Sequence, residues 1–194
     1  MRTLLDYGQK KEFTLQTLLI KDIIDKSLLL LRNQLKQSAT IQLDIPEGFS
    51  IRADMQRMQQ VFINLIRNAL NAGDDNVQIN IQASAAGQFP LLHQDDIQFV
   101  GEPDCLISQL RNYCEIVITD NGKGIANDVI RKIFDPFFTT SEPGHGAGHG
   151  TGLGLFIVQE IIQEHEGCIG VSSSEEGTQF VIRLPCAKSQ GNEL

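Results

Sequence analysis

The stretch that most constrains the fold runs from Gly148 to Leu155, where glycine occupies every second position up to Gly154. Glycine allows backbone conformations that a side chain forbids. The following residues, Leu155 to Ile162, place apolar side chains at helical spacing. A glycine loop that leads into a helix gathers unpaired backbone N–H groups at the positive end of the helix dipole. The pattern therefore predicts a phosphate-binding loop, although glycine loops also form plain turns.

The composition narrows the classes of function. The 194 residues are enough for one domain with a hydrophobic core, and 41% hydrophobic with 21% charged residues is typical of a globular protein. The net charge of -8 disfavours a nucleic-acid partner. No apolar run is long enough to cross a membrane, and Met1-Arg2-Thr3 does not begin a signal peptide. We expect a cytoplasmic domain without direct membrane contact, whether or not a longer parent protein is membrane-anchored.

The cysteines carry little information at this stage. They are scattered without CxxC spacing, at positions 105, 114, 168 and 186. This favours reduced thiols over disulfides. A disulfide between Cys105 and Cys114 is the less favoured alternative.

A long helix is predicted behind Asp54, which has the chemistry of an N-cap, and is expected to stop at Gly73. One face of this helix is polar and carries Asn64, Asn68 and Asn71 at spacings of four and three. Asparagine is a poor helix former, so three on one face call for a reason. A solvated face is the simpler reading. The alternative is a row of amide oxygens that binds a hard cation such as Mg²⁺.

An acidic residue ends a strongly apolar strand over residues 114–119. Asp120 is followed by Asn121, Gly122, Lys123 and Gly124, so the backbone there can approach a ligand closely. An ionised Asp accepts hydrogen bonds only, and it would therefore favour an exocyclic amine such as that of adenine. A β-turn with Asn-Gly chemistry explains the same residues equally well.

The rest of the chain predicts alternating helices and strands around these motifs. Residues 83–112 break the pattern and indicate an inserted excursion with a short helix at 106–110, and residues 141–150 indicate a mobile lid whose two histidines are solvated. The other predicted elements are strands at 12–16, 40–45, 51–53, 77–81, 168–172 and 178–184, an amphipathic helix at 18–35, and helical turns at 128–133.

Four motifs in sequence resemble those of the GHKL ATP-binding fold. The N box is matched by Asn64 to Ala69, the G1 box by Asp120 to Gly124, the F box by Phe134 to Phe138, and the G2 box by Gly148 to Gly154. Their order and spacing are similar to the catalytic, ATP-binding domain of two-component sensor histidine kinases. The resemblance implies an α+β two-layer sandwich, the Bergerat fold, in which helices cover one face of a mixed β-sheet beside a mobile ATP lid.

The resemblance also implies a domain organisation. Residues 1–9 would be the end of a dimerisation helix or a linker, and residues 10–186 the catalytic domain. Residues 83–112 would be an insert that is longer than the family usually has, and residues 187–194 a polar tail.

The resemblance assigns roles residue by residue. Asn68, with Asn64 beside it, would be catalytic and hold Mg²⁺, and Asp120 would accept from the adenine amino group. The other positions implied in nucleotide binding are Gly122, Gly124 and Ile125 beside the base, Thr151, Gly152, Leu153, Gly154 and Leu155 at the phosphates, and Asn71, Phe134 and Thr178 as further contacts.

The function implied is transfer of the γ-phosphoryl group of Mg-ATP to a histidine on a dimerisation domain that this chain lacks. None of the histidines at positions 93, 145, 149 and 165 precedes an acidic residue and a proline in a helical context, so the chain alone should not autophosphorylate. Its expected partners are its own dimerisation domain, in a homodimer, and a response-regulator receiver domain. The alternatives are a GHKL ATPase, an anti-sigma-type serine kinase, or a non-catalytic nucleotide-binding module.

Overall fold

The computed structural model describes residues 13–35, 39–73, 76–85, 98–101, 113–140 and 151–186. For residues 85 and 98–101 it describes the backbone alone. The described elements are β1 (Gln16–Leu19), α1 (Ile20–Leu31), β2 (Thr40–Asp44), β3 (Ser50–Ala53), α2 (Met55–Ala72), β4 (Gln78–Ala85), β5 (Gln98–Gly101), β6 (Tyr113–Asp120), a 3-10 helix (Ile130–Lys132), α3 (Gly154–Glu164), β7 (Cys168–Ser174) and β8 (Gly177–Pro185).

The main sheet has six strands in the order β2-β4-β6-β8-β7-β5. Strands β2 and β4 run parallel, and every other neighbouring pair is antiparallel, so the sheet is mixed. Strands β1 and β3 form a separate antiparallel pair. The central strands β6 and β8 pair over eight residues, from Tyr113 opposite Pro185 to Asp120 opposite Thr178. This register places Asp120 beside the turn that joins β7 to β8.

The three helices cover one face of this sheet, with α2 between α1 and α3. Alternate residues of the strands, such as Ile79, Ile116 and Ile182, join the core beneath the helices. Phe62 and Leu65 of α2 are fully buried at its centre. The predicted two-layer α+β sandwich is therefore confirmed.

Helix α2 begins and ends where its sequence predicts. The carboxylate of Asp54 accepts hydrogen bonds from the backbone N–H groups of Gln56 and Arg57, both at 3.0 Å, and so satisfies two of the unpaired donors at the helix start. Gly73 follows the last helical residue and donates its N–H to the carbonyl of Ala69. The buried residues of α2, such as Phe62 and Leu65, face the core and so set the direction of its asparagine face.

Several element boundaries differ from those predicted. Strand β1 lies four residues later than expected, and α1 is shorter than the predicted 18–35 helix. Strand β4 continues to Ala85, inside the predicted insert. The sequence did not show this extension, because the small alanines conceal the alternation of apolar and polar residues. Within the same predicted insert, β5 pairs with β7 at the sheet edge. The predicted helix at 106–110 and the predicted lid at 141–150 lie outside the described residues.

The expectation of reduced thiols is wrong for the three cysteines that the structure describes, Cys114, Cys168 and Cys186, all of which are disulfide-bonded. Cys114 and Cys186 form a disulfide, with Cα atoms 5.1 Å apart and 72 residues between them in sequence. The alternative pairing of Cys105 with Cys114 is wrong as well, because Cys114 is bonded elsewhere. The antiparallel register of β6 and β8 brings the two cysteines together, and the sequence alone did not show that register.

Candidate functional site

The polar face of α2 forms the central wall of the site. Asn64, Asn68 and Ala72 follow one another at intervals of four, so they lie on one stripe of the helix, and all three are half-buried. The stripe is about 12 Å long, given a rise of 1.5 Å per residue. Asn71 lies exposed, one residue off this stripe. The simpler reading, a freely solvated asparagine face, does not describe Asn64 and Asn68.

The N-terminal end of the stripe contacts the start of α3. The side-chain amide of Asn64 donates a hydrogen bond from Nδ2 to the carbonyl of Gly154 at 3.2 Å. A Cβ atom on Gly154 would lie 3.9 Å from the Asn64 side chain. Gly154 is the first residue of α3, where backbone N–H groups point out of the helix end. These donors therefore lie beside Asn64, as a phosphate-binding loop requires.

The C-terminal end of the stripe contacts the loop after β6. The backbone N–H of Lys123 donates to the carbonyl of Ala72 at 3.1 Å. A Cβ atom on Gly122 would lie 2.7 Å from the Cβ of Ala72 and 2.8 Å from Oδ1 of Asp120, so only glycine fits there without a shift. The loop and its acidic residue are thus held against the end of α2 that lies farthest from Gly154.

Asp120 is a buried acid at that end, with 6% of its surface exposed. Its Oδ1 accepts a hydrogen bond from the N–H of Gly122 at 2.8 Å. Burial raises the pKa of the Asp120 carboxyl above its ordinary value, and backbone hydrogen bonds from Gly122 and Thr178 oppose that rise. A further donor from a ligand would stabilise the charged form.

The turn between β7 and β8 holds the same loop from its other side. The hydroxyl of Ser173 accepts a hydrogen bond from the N–H of Ile125 at 2.8 Å and lies 2.9 Å from Oγ1 of Thr178. Gly124 has a φ of +71°, and a Cβ atom on it would collide with the carbonyl of Ser174. The sequence predicted Thr178 as a contact but missed Ser173. A run of serines at 172–174 was the signal available, and such runs are common in turns.

The glycine loop before α3 rests on the aromatic segment. Gly152 has a φ of +67°, and a Cβ atom there would collide with the backbone of Phe137. Phe137 also has a positive φ, 66°, and its side chain is 75% exposed. Phe134 is buried in the core, so its role in ligand contact stays a prediction. Thr151 is exposed, Leu153 and Leu155 are half-buried, and Gly148 to Gly150 lie outside the described residues.

An open cavity of about 310 Å³ is lined in part by Asp120. Its lining comes from β2, β4 and β6 and includes Gln42, Asn80 and Thr119, whose side chains point away from the helices. It contains neither Asn64, Asn68 nor the glycine loop. We therefore place the candidate site at the α2 stripe, where the motif residues meet.

Residues 53–188 match the family model described as "Histidine kinase-, DNA gyrase B-, and HSP90-like ATPase". The chain belongs to this family. Among curated proteins, the sensor histidine kinase ZraS of Salmonella typhimurium is 36% identical over 191 residues, which cover 96% of this chain and 35% of ZraS. The domain thus spans about a third of the length of such relatives. The recognition of a sensor histidine kinase ATP-binding domain is confirmed.

Solved structures of this family have the same architecture. The catalytic domain of histidine kinase ThkA is 26% identical with a TM-score of 0.66, and the match covers 90% of this chain and 98% of that one. Full-length ShkA, solved in complex with AMPPNP, has a TM-score of 0.67 at 21% identity and shares the fold over 93% of this chain and 33% of its own. Among the residues described for this domain, no helix is both long and apolar enough to cross a bilayer.

Proposed function

We propose that this ATP-binding domain binds Mg-ATP along the α2 stripe and donates the γ-phosphoryl group to a histidine of its parent protein. One observation carries the proposal. The two ends of a single helical stripe contact the two motif loops, Gly122 at Ala72 and Gly154 at Asn64. Asn68 lies between them. An elongated nucleotide with a base at one end and phosphates at the other matches this arrangement.

The base would lie at the Asp120 end. A buried carboxylate with only hydrogen-bond acceptors selects a base that presents an amine, and adenine does so. The close fit of Gly122 against Ala72 and Asp120 keeps side chains out of the space that a flat base would occupy. Thr178, 3% exposed and opposite Asp120 in the β6–β8 ladder, adds a hydroxyl beside the carboxylate.

The phosphates would lie at the Gly154 end, with Mg²⁺ between them and α2. Magnesium takes oxygen ligands and usually keeps several waters, so one or two protein oxygens and the phosphates suffice. Asn64 and Asn68 offer such oxygens, and Asn64 directs its Nδ2 to Gly154 while its Oδ1 remains an acceptor. When bound, the ion would neutralise charge on the phosphates. The residues present fit a magnesium–nucleotide complex.

Asn64 favours transfer over hydrolysis. An amide does not accept a proton at neutral pH, so this residue cannot activate water as a general base. Its Nδ2 is also engaged with Gly154. Positioning and charge neutralisation supply most of the catalysis in phosphoryl transfer, so the protein needs no base of its own for an attacking imidazole. A kinase therefore fits these residues better than an ATP hydrolase.

The acceptor histidine would come from another segment. His165 is the histidine that the structure describes, and it is buried with both ring nitrogens engaged. Its Nδ1 lies 2.7 Å from the carbonyl of Ile161, and its Nε2 accepts from the N–H of Asp54 at 3.0 Å. A nucleophile needs a free nitrogen, so His165 does not qualify. We propose the dimerisation domain of a homodimeric, cytoplasmic kinase region as the source.

The phosphoryl group would then pass to a response regulator. The relative ThkA has been crystallised in complex with the response regulator TrrA, which supports this class of partner.

The test is calorimetry of ATP binding with and without Mg²⁺, followed by incubation of the domain and γ-labelled ATP with a separately produced dimerisation segment of the parent protein. We expect Mg²⁺-dependent binding, label on the added segment, and no label on the domain alone. Asn64→Asp serves as a matched variant, since it introduces a carboxylate at the position where an ATPase would need one. Absence of ATP binding would refute the proposal, and rapid hydrolysis by the wild type would favour the ATPase instead.

A further inference from the structure

The turn between β7 and β8 carries a hydroxyl that no motif of the sequence assigns. Ser173 lies at the end of β7 and pairs in register with Thr178 of β8. Its Oγ is within hydrogen-bonding distance of three groups: 2.8 Å from the N–H of Ile125, 3.0 Å from the carbonyl of Gly177 and 2.9 Å from Oγ1 of Thr178. It therefore joins the loop after β6, the turn, and a neighbour of Asp120.

The number of hydrogen bonds that one hydroxyl can donate and accept decides which of these contacts form together. A serine has one proton to donate and two lone pairs to accept with. When Ser173 donates to the Gly177 carbonyl, it accepts from Ile125 and from the Thr178 hydroxyl. The Thr178 hydroxyl proton is then directed to Ser173. When Ser173 instead donates to Thr178, the Thr178 proton is released toward the site. Either way, Ser173 sets what Thr178 presents beside Asp120.

The surroundings leave this network little freedom. Thr178 is 3% exposed, and Asp120 is 6% exposed. A Cβ atom on Gly177 would collide with the carbonyl of Asp120, so the turn and the acidic residue are in close backbone contact. Hydrogen bonds in such a water-poor setting are strong, and removing one partner leaves the others unsatisfied.

We propose that Ser173 is a positioning residue for adenine: its hydroxyl ties the Asp120–Ile125 loop to the β7–β8 turn and orients Thr178 beside Asp120. This inference rests on the proposed binding of ATP. Ser173 acts through Asp120 and Thr178, without touching the nucleotide. Its loss should therefore weaken recognition of the base and spare contacts to the phosphates.

The test compares ATP with inosine triphosphate, which carries a carbonyl oxygen where adenine carries the amino group. Dissociation constants for both are measured by calorimetry on the intact chain and on Ser173→Ala. We expect Ser173→Ala to weaken ATP about tenfold, the value of one lost buried hydrogen bond, while inosine triphosphate changes less than about twofold. The ratio of the two dissociation constants, which measures the preference for ATP, should therefore be smaller in Ser173→Ala than in the wild type. Ser173→Thr, which keeps the hydroxyl, should show the wild-type preference for ATP.

Ser174→Ala is the matched control. Ser174 lies in the same turn, and its hydroxyl accepts from the N–H of Glu176 without a described bond to Ile125 or Thr178. This variant should keep the wild-type preference for ATP. If Ser173→Ala does not fold, Ser173→Cys fills the same volume with a weaker hydrogen-bonding group and should show a smaller loss of preference in the same direction.

Two results would overturn the inference. One is an unchanged preference for ATP in Ser173→Ala or Ser173→Cys. The other is an equal loss for both nucleotides, which indicates general loosening of the domain. A wild-type chain that binds neither nucleotide would instead refute the proposed function, so the two failures are distinguishable.

Discussion

The two ends of the α2 stripe are built differently. At the base end, the loop after β6 is held on both sides, by Ala72 of α2 and by Ser173 and Ser174 of the β7–β8 turn. At the proposed phosphate end, the contacts include the hydrogen bond of Asn64 to Gly154, the first residue of α3, and the packing of Gly152 on the backbone of Phe137. A Cβ atom would collide with a backbone carbonyl at Gly124 of the first loop, whereas at Gly154 it would make only ordinary contacts with Asn64.

This difference suits a kinase. Base recognition gains from rigid groups, because a preorganised site loses little entropy when the ligand binds. In the proposed transfer, the end of the stripe at Gly154 would also have to admit the acceptor histidine.

Replacing a glycine by alanine should change the free energy of unfolding very differently at the two ends of the stripe. Gly124→Ala places a Cβ atom against the Ser174 carbonyl at a φ of +71°, and we expect it to lower the free energy of unfolding by about 3 kcal/mol. At Gly154→Ala the new Cβ atom makes ordinary van der Waals contact with Asn64 at 3.9 Å, and the substitution gains helix propensity. Its stability should stay within about 1 kcal/mol of the wild type. Urea unfolding checks both, and equal losses would contradict the comparison.

Removing the acidic acceptor should affect the base end alone. Asp120→Asn replaces one acceptor oxygen with a donor, so we expect ATP affinity to fall about thirtyfold, in the range for hydrogen bonds to charged groups. Calorimetry should show this loss both with and without Mg²⁺, because the change lies far from the metal. Asn127→Ala, at an exposed position farther along the same loop, is a suitable control for effects on folding. An unchanged ATP affinity in Asp120→Asn would refute the adenine role.

The sequence predicted the local backbone features around the candidate site better than it predicted the edges of the fold, while the ligand roles of the site residues stay predictions. The roles of Asp54 and Gly122 in the fold could be predicted, because helix capping and the close approach of backbone segments each require particular residue types at one position. The disulfide of Cys114, strand β5 and the contact of Ser173 with Ile125 were not, because each joins residues that are far apart in sequence. Local patterns do not encode which strands become neighbours.

Removing the side chain of Asn68 should affect only the contribution of Mg²⁺ to nucleotide binding. Asn68→Ala should leave metal-free nucleotide binding unchanged and reduce the gain from Mg²⁺ about tenfold, roughly the loss of one oxygen ligand. Asn71→Ala is the matched control, since Asn71 is exposed on the same helix and should leave the Mg²⁺ gain intact. The measurement is calorimetry across a magnesium series. A full magnesium effect in Asn68→Ala would show that the metal assignment is wrong.

A junction between the end of α3 and the start of α2 should have a small, pH-dependent effect on stability. His165, after α3, accepts from the N–H of Asp54, the residue that caps α2, and Phe13 contacts its ring edge-on. Burial lowers the pKa of His165, a trend opposed by the Ile161 carbonyl and by the charges of Asp54 and Glu164, while Arg57 reinforces it. The folded domain therefore holds the neutral ring, which the Nε2 acceptor requires.

The sign of the pH effect follows from linkage. Because the pKa of His165 is lower in the folded state than its ordinary value of 6.5, the unfolded chain binds the extra proton first. Stability from this residue is complete above pH 6.5 and declines as the pH falls toward the folded pKa. We expect the urea midpoint to drop between pH 7 and pH 5, and to drop less in His165→Gln, whose side chain does not titrate. An equal pH dependence in both proteins would show that His165 does not sense pH.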